Sequence, residues 1–366
     1  MHIVGVFFIL ASAAQAQPTI GNEVVWRTTS AAATYQPAPQ AAPIAADGVG
    51  FAVAWSEFAD GLSRAYAGRL DAAGNLIEVG VRTAGTADAA SVVPSGDRYI
   101  AAWLEPDSSV KFPALITAAL DRDFKLLHAR NAGVTLGRPV VRVTPSRTYV
   151  GAGGALYEVD RDGVPVNAFF VGATIDDVGA ADDQVGYVVH STSHTPPICG
   201  FFGCSQAFDT YSLTFTWLFR VTLGDSWRFL SDAPVGVGTN GSEFLYVYFD
   251  GAAHLVKAVI WGPDIEQLVL SERLPPLLDA LNQPQIAWDG ARWLVVWSAG
   301  ASIEGAAVAH DHSVTPFTIS ASGLRPAVAA AKQGRFLVTY EVIDVAGRRL
   351  ASRVIDFNPP RGRAVR

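Results

Sequence analysis

The sequence predicts an all-β fold, and three observations carry that prediction. The chain has 366 residues, of which half are apolar and only 17% are charged, so it can bury a large core. Its 34 glycines and 21 prolines are typical of a chain with many turns. One unit, exemplified by PQIAWDGARWLVVW (284–297), recurs along the chain, whereas no capped amphipathic run of ten or more residues predicts a helix.

The repeated unit begins seven times, and each copy has room for four strands. The copies start near residues 43, 90, 139, 177, 234, 284 and 326, with an average spacing of about 47 residues. That period lies in the range of propeller blades. We therefore predict that residues 17–366 form a single domain, a seven-bladed β-propeller of four-stranded blades.

Each part of the unit has a local signal. A proline such as Pro284 suits the start of the first strand, where no ladder hydrogen bond is required. Asp289-Gly290 predicts a tight turn into a second strand, 293–297, whose continuous apolar run indicates burial on both faces. The third strand then turns into the fourth through an aspartate and a glycine, as in LDAAGN (70–75), because glycine adopts positive φ without strain.

The two ends of the chain predict how the ring closes. After the start at 326 there is sequence for three strands and then only PPRGRAVR. The segment NEVVWRTTSAAATYQ (22–36) resembles the fourth-strand stretch that begins LIEVGVRTAGT (76–86). We therefore expect a strand at 22–30 to complete the last blade, which would remove a free sheet edge.

Repeats of the form PxIAxDGxxFLVVW followed by LDxxG resemble those of secreted bacterial seven-bladed β-propellers of the FG-GAP or WD40-like kind. The resemblance covers nearly all of residues 17–366 and implies a blade rather than an activity. The Trp-Asp pair of WD40 blades and the SxDxGxTW box of sialidases do not recur here. DRDG (160–163) matches part of a calcium loop, but as one copy among seven repeats it predicts a tight turn.

The N-terminus predicts export. The apolar run at 4–14 is too short to span a bilayer, and it leads into Ala14-Gln15-Ala16, a small-x-small cleavage pattern. We predict a signal peptide over residues 1–16 and a secreted or periplasmic mature chain. An apolar N-terminal strand is the alternative, since no lysine or arginine precedes the run.

Loop lengths predict which face carries a site. The connection from the second to the third strand is only Gly153-Gly154 in the third repeat, but it is predicted to span residues 191–211 in the fourth. That long loop contains Cys199 and Cys204, for which an oxidising compartment predicts a disulfide bond. Function tends to lie where loop length varies on a fixed scaffold, so we expect the site on this face.

The second strands end at this face, mostly in an aromatic residue. A ring of aromatics could stack on a sugar, whereas packing between blades is the alternative that the repetition favours. His190 departs from the pattern, and with His194 it is a candidate ligand contact, although without a helix their spacing is weak evidence for zinc. The candidate ligand-binding residues are Trp55, Glu57, Trp103, Glu105, His190, His194, Tyr248 and Trp297.

Acidic residues near these strand ends raise the question of catalysis. A glycosidase needs two facing carboxylates roughly 5 to 10 Å apart, and Glu57, Glu105, Asp250 and Glu341 lie in different repeats. Their spacing in the sequence does not test that geometry, so we assign no catalytic residue. His310-Asp311-His312 falls at a third-to-fourth turn on the opposite face, which predicts a solvated turn, and we predict no metal or cofactor.

The charge of the chain limits its partners. The net charge is −7, which disfavours binding to nucleic acid or anionic lipid, and no later stretch is apolar enough to span a membrane. We expect a monomer. The leading hypothesis is an exported, non-enzymatic binding module that recognises a protein or a glycan. A carbohydrate-active enzyme (glycosidase or lyase) with carboxylates at the channel mouth and a structural scaffold are the alternatives.

Overall fold

The computed structural model describes seventeen stretches of the chain. All regular structure in them is β-strand, and no helix there is long and apolar enough to cross a membrane. The predicted signal peptide, 1–16, lies outside them. The described residues are 17–29, 44–59, 61–83, 85–107, 109, 112–135, 138–170, 174–181, 184–190, 204–212, 217–226, 236–250, 255–263, 265–272, 284–331, 334–344 and 347–357.

Two short strands, β1 (Thr19–Ile20) and β2 (Val24–Thr29), precede six consecutive groups of four antiparallel strands, which lie side by side in chain order. We number these groups as blades one to six. Blade one is β3 (Ile44–Ala46), β4 (Phe51–Ala59), β5 (Leu62–Leu70) and β6 (Leu76–Arg82); blade two is β7 (Asp88–Ser95), β8 (Arg98–Glu105), β9 (Ala114–Leu120) and β10 (Leu126–Val134); blade three is β11 (Val140–Val143), β12 (Thr148–Ala152), β13 (Ala155–Val159) and β14 (Pro165–Phe170).

Blades four to six follow the same order. Blade four is β15 (Thr174–Ala180), β16 (Gln184–His190), β17 (Cys204–Ser212) and β18 (Trp217–Ser226); blade five is β19 (Gly236–Thr239), β20 (Phe244–Asp250), β21 (Leu255–Trp261) and β22 (Ile265–Ser271); blade six is β23 (Gln285–Trp288), β24 (Arg292–Ala299), β25 (Ser302–Ala309) and β26 (Val314–Ser320).

The last sheet combines both ends of the described chain. It contains β27 (Leu324–Ala330), β28 (Arg335–Asp344) and β29 (Gly347–Asp356). Both N-terminal strands pair antiparallel with β29: Thr19 lies opposite Asp356, and Val24 lies opposite Ser352. The strand expected at 22–30 therefore lies beside β29, the last strand among the described residues.

The repeat boundaries predicted from sequence agree closely with the sheets. The first strands begin at residues 44, 88, 140, 174, 236, 285 and 324, each within three residues of the predicted start. The fold class, an all-β propeller with four-stranded blades, is confirmed. One boundary differs from the prediction: residues 204–211, expected in the long loop, belong to strand β17. The connection between β16 and β17 therefore covers only residues 191–203.

The core lies between facing sheets. The first strand of each sheet contacts the first strand of the next, from β3 through β7, β11, β15, β19 and β23 to β27, and β27 contacts β3. One apolar cluster joins Trp55 of β4 to Tyr99 of β8 and Leu337 of β28, and another joins Leu245 of β20 to Trp293 of β24. Second strands such as β8, β12, β20 and β24 are buried on both faces, which explains why their sequences are continuously apolar.

The turns use the chemistry that the sequence indicates. In the third-to-fourth turn of blade one, Asp71 Oδ1 accepts hydrogen bonds from the backbone N–H groups of Ala73 and Asn75 at 2.8 and 2.9 Å. Gly74 follows with φ +91°. In blade two the same position holds Phe124 at φ +57°, and its ring stacks on Tyr99 with centroids 4.3 Å apart. That contact offsets the cost of a left-handed conformation in a non-glycine residue.

Candidate functional site

The aromatic residues at the ends of second strands are almost fully buried. Trp55 and Trp297 are 1% exposed, and Trp103 and Tyr248 are 4% exposed. They pack between or within sheets. The packing interpretation of the repeated aromatic is therefore favoured over the sugar-stacking one, except at Trp103, which lines a cleft.

Trp55 and Glu57 form a closed arrangement between the last sheet and blade one. Trp55 stacks on Tyr66, with ring centroids 5.3 Å apart, and Trp26 of β2 contacts it edge-on at 5.4 Å. Arg27, also on β2, donates to both carboxylate oxygens of Glu57, from Nε at 2.9 Å and from Nη2 at 2.5 Å. Glu57 is 4% exposed, so this carboxylate is neutralised and has no free approach from solvent.

Trp103 and Glu105 occupy the same positions in blade two, but they border open space. The indole Nε1 of Trp103 donates to Glu105 Oε1 at 2.8 Å, which holds the ring in one orientation. A cleft of about 690 Å³ opens beside them, between the outer strand of blade one and blade two. Its walls include Val79, Val81 and Ile116, so most of the surface that a ligand would meet there is apolar.

Tyr248 and Trp297 have structural surroundings. The hydroxyl of Tyr248 accepts a hydrogen bond from Gln267 at 2.9 Å, and Asp250 pairs with Lys257 at 2.6 Å. Trp297 lies in the core between blades five and six, and its Nε1 has no hydrogen-bond partner among the described residues. Both aromatic rings are therefore packed in the core.

Glu341 is the most buried of the candidate carboxylates. Its side chain has no exposed surface, and Arg325 Nη1 lies 3.1 Å from Oε2. Its Oε1 has no hydrogen-bond partner within the described part of the chain. Burial raises the pKa of Glu341 to about 7, although Arg325, Arg348 and Arg138 act in the opposite direction.

The four carboxylates are thus held separately. Glu57 pairs with Arg27, Glu105 accepts from Trp103, Asp250 pairs with Lys257 and Glu341 pairs with Arg325. An acid–base pair for glycoside hydrolysis needs two carboxylates that face one another across the substrate. In this structure each of the four acidic side chains has a separate partner.

Several predicted residues lie at the edge of the described part. His190 ends strand β16, where its backbone is opposite Thr174 and Gln206, and Cys204 begins strand β17; the side chains of both lie outside the described part. His194 and Cys199 lie outside the described residues altogether. The disulfide between Cys199 and Cys204 and the ligand contacts of both histidines stay predictions.

The His310-Asp311-His312 segment forms the turn between β25 and β26, as the sequence predicts. His312 adopts φ +62°, and its Nδ1 lies 2.5 Å from Glu266 Oε2 of blade five. Within the described residues, no three histidine, cysteine, aspartate or glutamate side chains are arranged to hold a metal ion. Through this contact with Glu266, the turn of blade six is linked to the fourth strand of blade five.

Sequence reasoning missed a polar junction between blades one and two. Arg69 donates to Asp47 at 2.8 Å, to Glu78 at 2.5 Å and to the hydroxyl of Tyr99 at 2.7 Å. Burial raises the pKa of Asp47, but the hydrogen bonds from Tyr99 and Arg69 outweigh it and lower that pKa to about 2. In the sequence Asp47 belongs to an Asp-Gly pair, which predicts a local turn and does not indicate a contact with blade two.

A second junction that sequence reasoning missed is Asp177, which bridges blades three, four and five. Arg142 donates to its Oδ1 at 2.8 Å, and the backbone N–H of Val237 donates to its Oδ2 at 3.0 Å. Asp177 follows a register shift in β15, which places its carboxylate between neighbouring first strands. No sequence signal distinguished it from other acidic residues, because the bulge is not visible in the repeat pattern.

Comparison with known proteins identifies the fold alone. No protein-family model matches the chain, and no curated protein matches it. The chain is similar to the WD40 domain of coronin from Toxoplasma gondii, with 11% identity, a TM-score of 0.61, and coverage of 95% of this chain and 89% of that one.

Two further solved structures have comparable similarity. The β-propeller domain of Cps50 (Swd1) from Myceliophteria thermophila is 9% identical with a TM-score of 0.53, over 90% of this chain and 99% of that one. The polysaccharide lyase Uly1 is 9% identical with a TM-score of 0.54, over 90% of this chain and 93% of that one. At such low identity these proteins share an architecture with this chain, and their activities do not transfer to it.

Proposed function

We propose that the protein is an exported, non-enzymatic binding module built on a seven-bladed propeller. In this proposal the last sheet, with its N-terminal strands, is the seventh blade and packs against blade one to close the ring. The contact of β27 with β3 and the Arg27–Glu57 ion pair support closure. The ligand is a protein or a glycan, bound on the side that carries the 191–203 connection and the Trp103 cleft.

The observation that carries the binding proposal is the contrast between the two tryptophan–glutamate pairs. At Trp55 and Glu57 the chain itself supplies an aromatic ring and a cation that cover the pair. At Trp103 and Glu105 the pair lines a 690 Å³ cleft, a volume within the range of small-ligand sites. A buried aromatic with one oriented polar group is a common arrangement in such sites.

Two assays on the purified mature chain test this function. Incubation with a panel of polysaccharides should produce no new reducing ends and no unsaturated products. Screening against a glycan array and a random peptide library should give specific binding to at least one of the two. Depolymerisation that is lost in Glu105→Gln or Glu341→Gln would establish the enzyme alternative, and absence of binding in both screens would favour a scaffold.

Export has its own test. The first 30 residues fused to a reporter that is active only outside the cytoplasm should give reporter activity in a bacterial host. A matched fusion with Ala14→Asp and Ala16→Asp should retain the uncleaved precursor, because the cleavage site requires small residues. A cytoplasmic, uncleaved wild-type fusion would overturn the export part of the proposal.

A further inference from the structure

The cleft beside Trp103 lies where the surrounding side chains are smaller than their counterparts beside Trp55. In blade one, Tyr66 lies opposite Trp55 and stacks on it. In blade two, Ile116 lies opposite Trp103. Ala129, on the fourth strand of blade two, also lines the cleft.

The outer strands that face the two tryptophans, β2 at Trp55 and β6 at Trp103, also differ in the size of one side chain. EVVWRT (23–28) of β2 is repeated as EVGVRT (78–83) in blade one. The first copy supplies Trp26, whose ring packs edge-on against Trp55 at 5.4 Å. The second copy has Val81, which lines the cleft. The protein therefore contains the same kind of interface twice, once filled by an indole and once with that ring missing.

Part of the rim of the cleft is apolar and accessible. Val79 of blade one is 47% exposed, and Leu126 of blade two is 51% exposed; both line the opening. Phe124 closes the end of the cleft at the third-to-fourth turn of blade two. It packs tightly against Gly80, since a Cβ on Gly80 would lie only 2.0 Å from the Cβ of Phe124. Asp123 and Lys125 at that end lie 3.7 Å apart, so their charges offset each other.

We infer that the cleft between blades one and two binds an aromatic side chain of a partner protein, in the manner in which Trp26 packs against Trp55. This inference rests on the proposed binding function and names the chemistry of its ligand. The incoming ring contacts the Trp103 indole, which Glu105 orients, and aromatic pairs of this kind favour edge-on or offset geometry. Val79, Val81 and Leu126 favour an apolar ring, because burying apolar surface is favourable. Thr83, Arg130 and Asn131, which also line the cleft, are the groups that polar atoms of the partner would meet.

The aromatic ring is the group that the cleft requires of its partner. Arg82 occupies the sequence position of Arg27 in the repeated hexapeptide, and its side chain lies outside the described part of the chain. At the first interface Arg27 accompanies Trp26, but at the cleft the partner need supply only the aromatic group and no cation.

The first experiment uses a fluorinated N-acetyltryptophanamide as the probe and fluorine NMR on the full mature chain. We expect a Kd of the order of 0.1–1 mM, as ligand efficiency predicts for a molecule of this size. Val81→Trp should fill the cleft from within, as Trp26 does at the other interface, and should weaken probe binding at least tenfold while the chain stays folded. Val166→Trp, on the exposed outer strand of blade three, is the matched control and should bind like the wild type.

A second experiment identifies the source of the ring. Phage-displayed peptides are selected on the wild type and counter-selected on Val81→Trp. We expect the surviving peptides to share an aromatic residue, and alanine at that residue should weaken binding at least tenfold.

The outcomes separate this inference from the proposed function. No probe binding, or equal binding to the wild type and Val81→Trp, would overturn the aromatic cleft, and so would oligosaccharide binding that Val81→Trp abolishes. Peptide or glycan binding that is insensitive to Val81→Trp would also overturn it, but it would leave the binding module intact with its site elsewhere. Only the loss of all binding would remove both.

Discussion

Ser352 Oγ donates a hydrogen bond to the backbone carbonyl of Gly74 at 3.0 Å, and Thr117 makes the same contact with Gly163 at 2.6 Å. In both pairs a hydroxyl on the third strand of one sheet meets the third-to-fourth turn of another. The last sheet therefore meets blade one in the way that blade two meets blade three. This equivalence is the strongest support for the proposed ring closure.

The first prediction tests that contact. Gly74 has φ +91°, and a Cβ there would lie 2.1 Å from Ser352 Oγ; Gly48 has φ +86° and nothing within 4 Å. Gly48→Ala should lower the free energy of unfolding by about 1–2 kcal/mol through backbone strain alone. Gly74→Ala should cost about 1–2 kcal/mol more, measured by urea denaturation, because strain and a clash add. Equal losses would show that the Ser352 contact does not hold the last sheet to blade one.

The second prediction concerns Arg27 and Glu57. Arg27→Ala leaves a carboxylate that is 4% exposed without its cation, so the free energy of unfolding should fall by about 1–3 kcal/mol. The loss stays moderate because solvent screens the partly exposed Arg27 side chain. Lys125→Ala, which removes an exposed pair at 3.7 Å, is the control and should have little effect on thermal melting. In the double variant Arg27→Ala/Glu57→Gln, much of the loss should be recovered.

The third prediction is a pH dependence set by Glu341. Its pKa in the folded protein, about 7, is above its ordinary value of 4.5, so folding favours the protonated form. The stabilisation that this group contributes is complete below about pH 4.5 and is lost as the pH rises through 7. Glu341→Gln should therefore have a higher melting temperature relative to wild type at pH 8 than at pH 5. If that difference stays constant over this range, the carboxyl does not titrate in the way described.

The fourth prediction concerns the cysteines. A disulfide between Cys199 and Cys204 closes a short loop, so its loss should cost about 2 kcal/mol at most. Cys199→Ser should stay folded, with a small decrease in melting temperature, and thiol labelling of the denatured wild type should find no free thiol. Labelling of both cysteines in protein purified from an oxidising compartment would contradict the predicted bond.

Much of the fold follows from the sequence because a propeller repeats its local rules. Asp71 and Gly74 specify a turn by hydrogen bonding and positive φ within five residues, and the sequence displays that turn directly. The pairing of β2 with β29 was predictable because the last repeat lacked one strand and a strand-like segment before the first repeat had no repeat of its own. The limit of this reasoning appears at Cys204, where a polar, irregular stretch predicted a loop and the structure has a strand.

The candidate site was less predictable, because it depends on contacts between sheets. From the sequence, Trp55 and Trp103 were equivalent candidates for ligand binding, because both end a second strand. The difference between them lies in Trp26 and Val81, which come from other sheets, and no rule of local spacing links those residues to the tryptophans they face. Arg27 and Arg325, the partners of two candidate carboxylates, were missed for the same reason.

The pairing of β2 with β29 has a consequence for biosynthesis. Val24 and Ser352 are opposite one another, although more than 320 residues separate them in the chain. A nascent polypeptide thus exposes one half of this ladder long before the other half has been translated. Contacts of such high sequence separation form slowly, so an unpaired leading strand remains available to aggregate or to be captured by a chaperone until synthesis is complete.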